Sequence, residues 1–118
     1  MKSLFKIFLF IILGFCAFLK IALAENQLIM VTDKHCIFCI VWEKEIGKIY
    51  PKTETAKNFP LNRIEMKDFN KNTPMGLKKV NVTPTFIFIK NKKEKGRIYG
   101  YSNPEMFWWR IDEILEIN

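Results

Sequence analysis

The chain has 118 residues, with 19 Lys and Arg against 12 Asp and Glu (net +7), 49% apolar residues and three cysteines. That length allows one domain of about 100 residues and excludes a doubly wound dinucleotide-binding enzyme, a TIM barrel or a multispan membrane protein. The totals blend two unlike parts, because 19 of the 58 apolar residues fall in the first 24 positions.

Residues 1–24 carry Lys2 and Lys6, then the uncharged run Ile7 to Leu19, then Lys20 and the small-residue ending Ala22-Leu23-Ala24. This is the three-part pattern of a secretory signal peptide, with cleavage expected between Ala24 and Glu25. The apolar run has 13 residues, short of the roughly 20 that span a bilayer. An uncleaved anchor, the alternative, would have to snorkel Lys20. A lipoprotein reading of Leu13-Gly14-Phe15-Cys16 is opposed by the bulk of Phe15. Cys16 is expected to leave with the leader, and the expected location is the periplasm.

Residues 25–118 are then the mature domain of 94 residues. Three lysines go with the leader, so the net charge falls to +4 and exactly one cysteine pair remains, Cys36 and Cys39. The positive charge is modest and dispersed, without a basic stripe interleaved with aromatics, so no nucleic-acid partner is expected. An exported protein works where disulfides persist.

Along the mature chain, Gln27 to Thr32 is a short apolar run suited to a buried strand. From Cys36 to Tyr50, Phe38, Val41, Trp42, Ile46 and Ile49 recur at spacings of three and four, predicting a helix stopped by Pro51. Lys52 to Pro60 is polar, a loop with at most one helical turn. Leu61 to Met66 reads as a second strand, and Thr73 to Val80 as a short helix or connecting turn. Thr85 to Lys90, β-branched and aromatic, is the strongest strand. The cluster Asn91 to Gly96 predicts a solvated hairpin turn leading into a strand at Arg97 to Tyr101. Ser102-Asn103-Pro104-Glu105 signals a helix start, and that helix runs to about Ile117 with Phe107, Ile111, Ile114 and Leu115 inward. Trp42 is expected in the core, and at least one of Trp108 and Trp109 on the surface. The order predicts an α/β domain, a minimal thioredoxin fold with a mixed four-stranded sheet and helices on both faces.

The chemistry centres on Cys36-Ile37-Phe38-Cys39 at a strand-to-helix junction. Residues three apart on a helix are neighbours, so the two sulfurs can bond with little backbone movement. Unpaired N–H groups and the dipole at a helix start favour a thiolate, lowering a cysteine pKa from about 8.5 to roughly 3.5–7.5. Cys36 would be the exposed nucleophile and Cys39 the resolving thiol. A static disulfide and soft-metal handling are the alternatives. A four-residue loop gains little from a static bridge, and with one histidine and no second C-x-x-C the chain cannot assemble a four-ligand zinc site from cysteine and histidine alone. Copper held by Cys36, Cys39 and His35 or a methionine stays open. No cofactor and no metal is expected for the leading reading.

Val82-Thr83-Pro84-Thr85 precedes the best strand. Proline in sheets is confined to strand starts or edges, and a resemblance to thioredoxin-like folds implies a cis-proline at this position whose preceding residue faces the C-x-x-C. Thr83 would then contact the Cys36 sulfur region and Pro84 would leave the edge open for a substrate strand. Lys34 and His35 precede the nucleophile and could stabilise its thiolate; His35 is also a candidate substrate contact.

Together Leu28-Ile29-Met30, Cys36-Ile37-Phe38-Cys39, the block Trp42 to Thr53, Val82-Thr83-Pro84-Thr85-Phe86 and Gly96-Arg97-Ile98-Tyr99-Gly100-Tyr101 resemble the small periplasmic thioredoxin-like proteins of bacterial sulfur oxidation, the SoxS type. The resemblance implies a periplasmic thiol-disulfide oxidoreductase, kept reduced by a membrane thiol-electron donor, that reduces cysteines on a partner protein of a thiosulfate-oxidising system; the chain is expected to be a monomer. Such proteins often carry proline after the first cysteine, where this chain has Ile37. The intervening pair tunes redox potential, so a disulfide oxidant or isomerase is the competing direction. An isomerase usually needs a dimerisation domain, for which 94 residues leave no room.

Overall fold

The computed structural model describes residues 3–8, 24–74 and 76–116. Residues 3–8 are helical and exposed; most of the expected leader, Cys16 included, lies outside the described residues. No helix among the described residues is long and apolar enough to cross a membrane.

Four strands form one sheet: β1 (Gln27–Thr32), β2 (Leu61–Glu65), β3 (Thr85–Lys90) and β4 (Lys93–Tyr99), in the order β2-β1-β3-β4. β1 and β2 pair in parallel from Leu28↔Leu61 to Thr32↔Glu65. β1 and β3 pair antiparallel from Gln27↔Ile89 to Val31↔Thr85, and β3 and β4 form the antiparallel hairpin. The two central strands are covered on both faces, which is why they read as unbroken apolar runs and are buried along almost their whole length.

Alternation along the strands divides the core. Leu28, Met30, Phe86, Phe88 and Ile98 face one side, packed with Trp42, Ile46, Phe107 and Ile111. Ile29, Val31, Ile87 and Ile89 face the other, packed with Phe69 and Val80. The first side is covered by helix α1 (Ile37–Trp42), a π-type turn (Glu43–Gly47) that continues it, a 3-10 turn (Tyr50–Lys52) and the short helix α2 (Glu54–Asn58). The last helix, which closes the same face, follows α3 (Met66–Lys71) in the chain and is α4 (Pro104–Glu116); α3 covers the second face. Helices therefore cover both faces of a mixed sheet, as expected.

Short-range chemistry fixes the helix ends. Thr53 Oγ1 accepts from the Ala56 N–H (3.2 Å) to start α2, and Asn103 Oδ1 accepts from the Met106 N–H (2.9 Å) with Pro104 as the first helical residue of α4. At the base of the first face the Tyr50 hydroxyl donates to the Phe59 carbonyl (2.6 Å) and its ring stacks on Trp108 at 6.3 Å. Trp109, the other member of the pair, is exposed, and Trp42 is fully buried.

Three expectations need correction. The first helix buries Cys39, Trp42, Ile46 and Tyr50, while Phe38 and Ile49 of the expected stripe are exposed; helical spacing admits more than one stripe, and the sheet selects one. Of the short helix or connecting turn expected at 73–80 it is the turn that is present, and a helix that was not expected, α3, begins at Met66, read above as a strand end. The described residues of 73–80 hold one turn, in which the Leu77 N–H donates to the Pro74 carbonyl (3.1 Å). The hairpin turn is only Asn91-Lys92, both with positive φ (54° and 66°), the pattern of a type I′ turn whose twist suits the flanking strands. β4 accordingly starts at Lys93 and ends at Tyr99. Charged residues read as a loop occupy the open edge strand, where they discourage pairing with other chains.

Candidate active site

β1 ends at Thr32, and Asp33 turns the chain into α1. Its side chain accepts from the His35 N–H (3.2 Å) and its carbonyl from the Cys36 N–H (3.2 Å). Cys36 is the N-cap of α1, in extended conformation (φ −87°, ψ 105°), and its Sγ accepts from the Cys39 N–H at 3.0 Å. The two cysteines form a disulfide, with Cα atoms 5.2 Å apart. The capping geometry does chemical work in the reduced form: the N–H that meets Cys36 Sγ is one of the orphan donors of the helix start, and it stabilises a sulfur anion there.

Both cysteines belong to the aromatic core cluster with Trp42, Phe86, Tyr101 and Phe107. Cys36 is 8% exposed and Cys39 3%, so the outer member of the pair is less open than its expected role implies, though still the more accessible. Among the described residues Arg97 is the only buried charged side chain. No buried carboxylate or amine among the described residues therefore adjoins the pair.

Topology brings Thr83-Pro84 to the same end of the sheet. Val31, at the end of β1, pairs with Thr85, the first residue of β3, so the turn to Cys36 and the approach to β3 leave the sheet side by side. The Thr83–Pro84 peptide bond is cis; Pro84 is buried and Thr83 half-buried. Pro84 donates nothing to the sheet, and its carbonyl accepts from the Gly100 N–H at 2.7 Å. Gly100 has φ +76°, a conformation open to glycine at little cost. The Thr85 hydroxyl closes the turn onto the Val82 carbonyl (2.6 Å).

The segment leading to Thr83 is held by side chains. Asn70, in α3, donates Nδ2–H to the Val80 carbonyl and accepts the Val80 N–H at Oδ1, both at 2.8 Å. This pair imitates one rung of a sheet where no strand is present. Arg97 donates to the Lys78 carbonyl (2.8 Å) and pairs with Glu94 (2.8 Å). Neither anchor stood out in the sequence, because an Asn after an apolar residue carries no motif of its own.

Lys34 and His35 lie exposed on the turn before Cys36. Ile37 (72% exposed), Phe38 (59%) and Ile40 on α1, and Val82 on the approach to β3, are exposed large apolar side chains. Tyr101 is buried with an unpartnered hydroxyl. Burial, and next the negative charge of Glu45 nearby, push its pKa up to about 12, although no hydrogen bond of good geometry joins the two groups. Burial also raises the pKa of Tyr50. Among the described residues no cluster of three or more His, Cys, Asp or Glu is placed to hold a metal ion.

A cysteine pair capping the first helix of a βαβ unit, beside a proline turn at the start of the antiparallel hairpin, defines a thioredoxin-fold thiol-disulfide oxidoreductase. The chain belongs to the thioredoxin-like domain family, whose pattern matches residues 21–115. It is similar to the periplasmic thioredoxin SoxS from Paracoccus pantotrophus in its reduced form, at 32% identity and TM-score 0.69, over 78% of this chain and 97% of that one. Mitochondrial thioredoxin 3 from Saccharomyces cerevisiae (18% identity, TM-score 0.56, 75% of this chain and 78% of that one) and thioredoxin from Aeropyrum pernix (16%, 0.55, 76% and 75%) share the fold. No curated protein sequence matches the chain.

Proposed function

We propose that the protein is exported and reduces disulfides on a partner protein in the periplasm, with residues 1–24 as its signal peptide and residues 25–118 as the working domain. The Cys36 thiolate attacks one sulfur of the partner disulfide, forming a mixed disulfide and releasing the partner's other sulfur as a thiol. Cys39 then loses its proton and attacks the Cys36 sulfur, releasing the second partner thiol and leaving the Cys36–Cys39 disulfide. Two electrons pass to the partner, and a membrane thiol donor returns them. Thr83 and Pro84 align the partner segment against Cys36, and His35 contacts it from the opposite side. The protein acts as a monomer and needs no cofactor.

The observation that carries this reading is Cys36 as the N-cap of α1 with an orphan N–H on its sulfur, because that geometry favours the first cysteine as thiolate and leaves the second as the resolving group. The export pattern and the similarity to a periplasmic SoxS support the location and a partner in sulfur oxidation. The test is Cys39→Ser in cells: a mixed disulfide between Cys36 and a periplasmic protein is expected, and identifying that protein names the partner. A variant that traps nothing, beside a wild-type pair that stays oxidised, refutes the reading. A potential more oxidising than that of protein disulfide isomerase, about −180 mV, would reverse the direction to that of a disulfide oxidant.

A further inference from the structure

The β3–β4 hairpin keeps lysines where its own folding disfavours them. Residues 90–96 hold four lysines and one acid, Glu94, and Glu94 is taken up by Arg97 (2.8 Å). Lys90 and Lys93 are direct cross-strand partners, a like-charge pair that destabilises a hairpin. Lys92 has φ 66° at the turn position where glycine is preferred. Lys90, Lys92 and Lys93 are all exposed. Charge along the open β4 edge discourages pairing with other chains, which accounts for Lys93. It does not account for Lys90, which lies on a central strand, or for Lys92, which lies in the turn. Native proteins break such local rules chiefly where function requires it.

Charge is also polarised along the sheet. Gln27 pairs with Ile89 beside the hairpin, whereas Val31 pairs with Thr85 at the opposite end. Past that opposite end a crevice is lined by Asp33, Glu65 and Asp68 together with Lys34, His35 and Lys67, so acids there outnumber lysines. The hairpin end is therefore the one drawn to an anionic surface. It offers no anchor for a particular protein. Its shallow hollow, about 310 Å³, is lined by Lys90, Asn91, Lys93, Glu94 and Lys95, none of them apolar, and protein interfaces take most of their affinity from buried apolar or aromatic anchors. A layer of mobile phosphate headgroups needs only charge.

We propose that the hairpin is a docking surface for the anionic phospholipid headgroups of a membrane. A lysine at such a surface is worth about fivefold in partition, so the three exposed lysines supply about a hundredfold. The attraction is screened by salt, which keeps docking reversible. It is independent of the exchange reaction at Cys36.

The test is co-sedimentation of residues 25–118, which contain every described strand and both halves of the core, with lipid vesicles at low salt. Vesicles of phosphatidylcholine with about 30% phosphatidylglycerol should bind the domain, and phosphatidylcholine alone should bind it at least about tenfold less. Lys90→Glu with Lys93→Glu should weaken binding at least about 25-fold, fivefold for each lysine. Lys67→Glu with Lys71→Glu, the same change of charge on α3, should weaken it no more than about threefold. Lys93→Glu alone should lower binding about fivefold and raise the urea midpoint, because it turns a like-charge pair into an opposite one. Equal binding to both vesicle types, equal loss in the two double variants, or binding untouched by Lys93→Glu overturns the proposal. Release by inorganic phosphate beyond that by sodium chloride of the same ionic strength would mean a pocket for the free ion. Retention on a polyglutamate peptide without vesicle binding would mean a protein-docking surface. Either result overturns the lipid assignment.

Discussion

The two faces of the sheet are built on different principles. The face that carries the dithiol is aromatic: Trp42 lies 5.1 Å from Phe86 and 5.7 Å from Phe107, ring centre to ring centre, and Phe59 meets Phe88 at 5.4 Å. The opposite face is mostly aliphatic, with Phe69 its one buried aromatic ring among the described residues. It is closed by one short helix and an irregular segment held through Asn70 and Arg97. The proposed redox site draws one half from each. Cys36 and Cys39 are fixed by packing, whereas Thr83 and Pro84 end a segment fixed by a few directional hydrogen bonds. Packing energy is distributed over many contacts and hydrogen bonds are concentrated in few, so the cysteine half should resist single polar changes that loosen the proline half.

That contrast can be broken most severely at Trp42. Trp42→Ala should cost about 3–5 kcal/mol, a large part of the 5–15 kcal/mol typical of a whole domain, read as a lower urea midpoint with an unchanged slope. Asn70→Ala should cost about 1–3 kcal/mol by orphaning the Val80 N–H and carbonyl. Its diagnostic is local: faster amide exchange through residues 76–83 and a several-fold loss of activity on protein disulfides, with the dithiol potential unchanged. A potential that moved with Asn70, or a loop that stayed protected, would erase the distinction between the halves.

Smaller effects sharpen it. Tyr101 has a folded pKa raised to about 12 from an ordinary value of about 10. Its neutral form is favoured by folding, so this contribution is intact below pH 10 and is lost as the pH rises toward 12. Tyr101→Phe should flatten the alkaline decline in stability, leaving a residual slope from Tyr50, and should leave neutral-pH stability equal or higher because an unpartnered buried hydroxyl is removed. The least change is expected at Glu43, whose two hydrogen bonds to Arg63 (2.8 and 3.0 Å) tie the π-type turn that continues α1 to β2 on the surface. Glu43→Gln should cost no more than about 1 kcal/mol in thermal or urea unfolding, since both partners are well solvated.

Residues whose local preference and burial agree could be read from the chain alone. β1 and β3 are apolar throughout because both of their faces are covered, and the last helix announces itself by Asn103-Pro104 and its inward stripe. The cysteine pair was legible because its spacing and its place after a strand together carry a chemical meaning. What escaped depended on partners remote in sequence. Met66–Lys71 is a six-residue helix, too short to show a period, and it is held beneath the sheet by Phe69. The path of residues 76–83 is set by Asn70 and Arg97 from two other elements. Lys92 adopts positive φ because the hairpin requires it there, against the usual preference of its type. Phe38 fits a helical stripe by arithmetic, yet faces solvent because the sheet lies on the side of Trp42.

The hairpin turn has a consequence for orientation. The Lys92 N–H donates to the Glu25 carbonyl and the Asn91 N–H to Asn26 Oδ1, each at 2.9 Å, which ties the start of the domain to the end of the sheet where β1 begins. β1 then runs for six residues, about 20 Å, before the chain turns to Cys36. Glu25 therefore lies at one pole of the domain and the Cys36–Cys39 disulfide at the other. A surface attachment made through that end leaves the dithiol facing away from it.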